Sequence, residues 1–92
     1  PNAFSPDNKG DNDRFTVYGG SGLEKINVLR IYERWGNMVF ERKDFPPNDP
    51  TLGWDGTLNG RVLNAAVFVY YLEVAFSDGK TAVYTGDLTL MR

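Results

Sequence analysis

The stretch from Val67 to Met91 leaves this chain little freedom of fold. Val67 to Phe76 alternates without interruption: Phe68, Tyr70, Leu72, Val74 and Phe76 share one face, and Val67, Val69, Tyr71, Glu73 and Ala75 the other, because successive side chains of a strand point to opposite sides. The first face reads as buried and the second as at least half so. Ser77-Asp78-Gly79-Lys80 then carries the Asp-Gly chemistry of a tight reversal. Thr81 to Met91 returns with Ala82, Tyr84, Gly86, Leu88 and Leu90 on one face, and Gly86 reads as a bulge or a close backbone approach. Two long alternating runs joined by a short turn commit the domain to antiparallel sheet.

A second reversal lies at Ile31 to Glu41, I-Y-E-R-W-G-N-M-V-F-E. Two β-prone arms flank Gly36-Asn37, which predicts a two-residue primed turn with Trp35 and Met38 facing across it and bulky side chains in need of a core. The incoming arm starts at Leu23. Its apolar phase slips between Val28 and Leu29, which fits a bulge or burial on both faces. A helix is the rival reading there, and the β-branched and aromatic content favours a strand.

The remaining segments agree. Phe15 to Tyr18 reads as a short strand and Gly19 to Gly22 as a flexible break. Lys43 to Pro50 contains three prolines, which excludes a central strand. Trp54-Asp55-Gly56 predicts a tryptophan folded in to plug a core edge, with the aspartate capping local amides. Asn59-Gly60 is a further hairpin tip. About seven short strands, with turn signals every 8–12 residues or so, predict an all-β domain: an antiparallel immunoglobulin-like β-sandwich, a small barrel being the alternative.

The 92 residues suit one domain, 1–92, and Pro1 at the start suggests a fragment of something longer. With no histidine and no cysteine, Ser-His-Asp and Cys-His catalysis, thiolate zinc and disulfides are excluded. A paired-carboxylate glycosidase, with Asp55 or Glu73, would need a cleft that so small a sandwich has little room for. A net charge of −2 gives no footprint for nucleic acid, and no apolar run approaches the roughly 20 residues that span a bilayer. Asp7, Asp11 and Asp13 alternate around Gly10 as oxygen ligands for calcium would. Lys9 interrupts them, however, and the plainer reading is a solvated turn. Trp35, Trp54 and the tyrosines suggest an aromatic platform for a glycan or a protein, against the plainer reading that each indole is core packing. Arg34 beside Trp35 is the more suggestive pair, since both types are favoured at interface hot spots.

Five stretches in order resemble one family, the gliding motility-associated C-terminal domain, which is the type B sorting domain of the Bacteroidetes type IX secretion system. Pro1-Asn2-Ala3-Phe4-Ser5-Pro6 with Asn12-Asp13 and Phe15 is similar to its P-N-(A/V)-F-(S/T)-P-N-G-D-G-x-N-D-x-F opening. Ile31-Tyr32, Arg34-Trp35-Gly36 and Val39-Phe40-Glu41 resemble I-Y-(N/D)-R-W-G-x-x-V-F-E. Trp54-Asp55-Gly56-Thr57 with Asn59-Gly60 resembles W-D-G-T-x-N-G. Val67 to Glu73 resembles the V-Y-F-Y-x-(I/L)-E strand, and Gly86 to Arg92 the G-x-(V/I)-T-L-(I/L)-R ending. The chain departs at Asp7-Asn8-Lys9, which replaces N-G-D, and at Asn64 and Ala66, where a proline and a glycine are usual.

The resemblance implies a non-catalytic signal at the C-terminus of a large exported protein, often an adhesin. Such a parent crosses the periplasm and reaches the cell surface or the medium through the outer-membrane type IX machinery, often with a PorP/SprF-like partner. It places the partner-recognition candidates at Arg34, Trp35, Gly36, Trp54, Asp55, Gly56 and Arg92, with the Arg34-Trp35-Gly36 hairpin as the principal contact.

Overall fold

The computed structural model describes residues 3–6 and 13–92. The predicted hairpin of the last third is its centre, with β6 (Ala66–Phe76) and β7 (Thr81–Leu90) paired in unbroken antiparallel register from Ala66↔Leu90 to Ala75↔Thr81. On the other side of β6 lies β2 (Leu23–Glu33), followed by β3 (Met38–Phe45), while β1 (Ala3–Phe4) runs parallel to the end of β7. The resulting sheet has the order β1-β7-β6-β2-β3. A second, two-stranded sheet is formed by β4 (Thr57–Leu58) and β5 (Arg61–Val62). The fold is all-β and two-layered, as a sandwich requires.

The phase slip in β2 is a bulge. Ile26 pairs with Val74 and Val28 with Glu73, so Asn27 is one residue extra against β6. Ile26, Leu29 and Ile31 therefore all reach the core although three positions separate the first two. Val28 is buried on the opposite face, outside the core cluster. Asn27 is held there by its amide, which donates to Glu73 Oε2 at 3.1 Å.

The second layer is built largely without ladders. Phe15 to Tyr18, expected as a strand, makes one bridge: Phe15 and Trp54 exchange backbone hydrogen bonds of 2.8 and 3.1 Å. Beyond that, Asn48 N–H donates to Val17 O at 2.8 Å. The facing segment carries Pro46, Pro47 and Pro50, which have no N–H to extend a ladder. Asn48 substitutes with its side chain, accepting from Gly19 N–H at 2.9 Å and donating to Gly19 O at 3.1 Å.

Trp54, 1% exposed, sits at the centre of the core. Its ring meets Phe68 edge-on at 5.1 Å between centroids, Phe4 at 5.5 Å and Phe40 at 6.4 Å. Gly86 marks a close approach and not a bulge, since it pairs regularly with Tyr70. A Cβ there would fall 2.8 Å from Tyr70 Oη and 3.0 Å from its ring. Gly86→Ala must therefore push aside a ring that also packs on Phe15 at 5.6 Å. The expected cost is about 1–3 kcal/mol, read as a lower urea midpoint with unchanged slope. A midpoint equal to the parent's would show that Tyr70 swings away freely.

The far face of the sheet carries charge pairs. Arg30 Nε donates to Glu41 Oε2 at 2.7 Å, and its guanidinium lies 5.7 Å from the centre of the Tyr71 ring. That hydrogen bond holds the Glu41 carboxyl below its ordinary value and raises Arg30.

Candidate functional site

The β2–β3 reversal differs from the two-residue turn expected at Gly36-Asn37. Glu33 O accepts from Gly36 N–H at 2.9 Å, and Glu33 N–H donates to Asn37 O at 2.9 Å. The loop is therefore the three residues Arg34, Trp35 and Gly36, closed by a glycine at φ +94°, a standard three-residue hairpin with a left-handed third position. Asn37 belongs to the returning arm because its carbonyl takes the Glu33 amide and its Nδ2 donates to Glu33 Oε1 at 2.6 Å. The β6–β7 turn repeats the pattern, with Gly79 at φ +87° donating to Phe76 O at 3.0 Å.

One residue more in the loop changes the fate of Trp35. Met38 pairs with Tyr32, and Trp35 stands at the apex, 84% exposed. The expectation that this indole needs the core is overturned. Removing an indole from water is worth several kcal/mol, and here that gain is left unused.

The other candidates form a separate knot. Asp55 Oδ1 accepts from Thr57 N–H at 3.2 Å and from its hydroxyl at 2.7 Å. Trp54 Nε1 donates to Thr57 O at 3.0 Å. Gly56, buried at φ +82°, accepts at its carbonyl from Leu63 N–H at 3.1 Å and from Arg92 Nη2 at 3.2 Å. Arg92 Nε also donates to Leu63 O at 3.0 Å. A Cβ on Gly56 would lie 3.1 Å from Leu90, 3.2 Å from Arg92 and 3.4 Å from Pro6. Trp54, Asp55 and Arg92 thus gather at the Gly56 turn, where the side chains of Leu90, Arg92 and Pro6 close on the glycine.

A cleft of about 300 Å³ lies beside the apex. Arg34, Trp35, Leu58, Arg61, Leu63 and Val67 are among the residues that line it. Leu63 is the residue that Arg92 holds. Arg61 and Val67 are exposed. Sequence reasoning recognised the Asn59-Gly60 turn, now seen with φ of 53° and 79°, but missed Arg61, Leu63 and Val67 as neighbours of the apex. The turn chemistry gives the reversal and says nothing about which end of the sheet it faces.

Among the described residues, no three His, Cys, Asp or Glu side chains converge as a metal site. Asp7 and Asp11, two of the three calcium candidates, lie outside the described residues. No helix among them is long and apolar enough to cross a membrane.

Residues 1–90 match the family CHU_C, described as a type IX secretion signal domain. Comparison with curated proteins and with solved structures gives no match.

Proposed function

The chain belongs to the CHU_C family of type IX secretion signal domains, and from that premise we propose that residues 1–92 are the single, non-catalytic C-terminal sorting domain of a larger, adhesin-like surface protein. A type IX signal implies contact with the secretion machinery and export across the outer membrane, to the surface or the medium. In this reading the parent passes through the periplasm, and a PorP/SprF-like protein receives the folded domain at the Arg34-Trp35-Gly36 apex. Trp54, Asp55, Gly56 and Arg92 support that contact by fixing the loop opposite it.

The observation that carries the reading is Trp35. A packed β-domain holds its other tryptophan at 1% exposure and projects this one, beside Arg34, at 84%. Exposed indole and guanidinium side by side are what interface hot spots are made of. The same indole would serve a glycan- or protein-binding module, so the test separates the two. Residues 1–92 fused to a periplasmic reporter in a gliding Bacteroidetes host should deliver the reporter to the surface or medium well above the unfused reporter. A binding module leaves it in the periplasm, and delivery equal to the unfused control sinks the proposal.

A further inference from the structure

The cleft beside Trp35 is lined by one more cation than anion, and among the described residues no ion pair cancels its arginines. The two ion pairs among the described residues are Lys25–Asp44 and Arg30–Glu41, and both lie elsewhere on the sheet. Arg34 of the β2–β3 apex and Arg61 of β5 both line the cleft, and among the described residues neither guanidinium has a hydrogen-bond or ion-pair partner. Glu33 also lines it and keeps its charge, since its hydrogen-bond partner Asn37 is a neutral amide, so the two arginines stand against one carboxylate. Outside the cleft lining, the guanidinium of Arg92 donates to the carbonyls of Leu63 and Gly56, and among the described residues it forms no ion pair. All this sits on a chain whose net charge is −2.

The same cleft is lined by apolar side chains, Trp35, Leu63 and Val67 among them. A guanidinium presents a planar fork that matches a carboxylate with two parallel hydrogen bonds. An indole covers an apolar side chain at little entropic cost, having only two rotatable bonds. We infer that this cleft receives an acidic segment of the export partner, with two carboxylates meeting Arg34 and Arg61 and an apolar residue between them covered by Trp35. This deepens the export reading and rests on it. A polyanion such as nucleic acid fits poorly, because outside the cleft it would meet a net negative domain.

The test uses the reporter fusion in the exporting host. Arg34→Glu, Arg61→Glu and their combination reverse the charge at exposed positions, and unchanged urea midpoints establish that each variant folds. Export is expected to fall about tenfold or more for the double reversal, with each single in between, because like charges set against each other weaken both encounter and complex. Lys80→Glu makes the same charge change in the β6–β7 turn, at the opposite end of the sheet, and should export as the parent does. If the parent fusion itself is not exported, the export reading fails. If the parent is exported and the double reversal is exported equally well, this inference alone fails. A second arm identifies the partner's chemistry: in outer membranes isolated from exporting cells, a carbodiimide joins the amine of the Arg34→Lys variant only to a carboxylate in direct contact. Coupling mapped to an aspartate or glutamate of an outer-membrane export protein supports the inference. Coupling to a second copy of this chain, or none above that of the parent fusion, overturns it.

Discussion

Replacing Trp54 by alanine is expected to cost about 3–5 kcal/mol, the range for removing a fully buried large aromatic. Three terms add. The indole is 1% exposed, so its whole apolar surface is lost from the core. It is also the ring shared by three aromatic contacts, to Phe68, Phe4 and Phe40, so the cavity opens at a junction that cannot collapse without moving both layers. Its Nε1 finally satisfies Thr57 O at 3.0 Å, and that carbonyl loses its donor. A chain of 92 residues has a total stability of about 5–14 kcal/mol, so the variant should keep little margin. In urea, with a slope of about 1–3 kcal/mol/M, the midpoint should drop by more than 1 M. Trp54→Phe, which keeps most of the ring packing and loses the Nε1 bond, should fall between the two. A loss below about 1 kcal/mol for the alanine variant, the size of an ordinary surface-to-average effect, would mean that the W-D-G turn docks on the core without organising it.

The parts of this architecture that were legible in the sequence are those governed by local geometry. The β6–β7 pairing could be read because a period of two puts every inward residue in phase, and Phe68, Val74, Leu88 and Leu90 are all buried as that phase requires. The slip in apolar phase between Val28 and Leu29 pointed to a bulge or to burial on both faces, and the structure has both: a bulge at Asn27, one step earlier, and Val28 buried outside the core cluster. Trp54 could be placed because an indole beside an Asp-Gly turn has a ready route inward. Phe15 to Tyr18 failed for a non-local reason: the residues are good strand formers, but the segment that meets them lacks amides at its prolines. The apex failed by one residue. Gly36-Asn37 and Arg34-Trp35-Gly36 are both sound hairpin loops, and the choice between them lay in where Asn37 found partners, at the Glu33 backbone and side chain. That single residue decides whether Trp35 faces Met38 or water. The cleft itself was out of reach, since Arg34 and Arg61 are brought to one place only by the folding back of β4–β5.

Trp35→Ala is expected to do the opposite of Trp54→Ala, leaving the fold intact and removing the function. An indole that is 84% exposed contributes little to folding, and substitutions at such surface positions stay within about 0.5 kcal/mol. The turn itself depends on Gly36 at φ +94° and on the Glu33 backbone bonds, neither of which involves the indole. If the apex is the contact through which the exported domain is received, truncating a hot-spot tryptophan costs at least about 2 kcal/mol of binding, which is roughly a thirtyfold loss of affinity. Reporter delivery by the Trp35→Ala fusion should then collapse while its urea midpoint stays with the parent's. Trp35→Phe should recover part of the delivery, because a smaller aromatic still covers an apolar side chain. Full delivery by the alanine variant would move recognition away from the apex. A midpoint lowered as far as that of Trp54→Ala would show that the exposed indole is held in the fold after all. The pair of measurements separates a tryptophan that makes the domain from one that the domain presents.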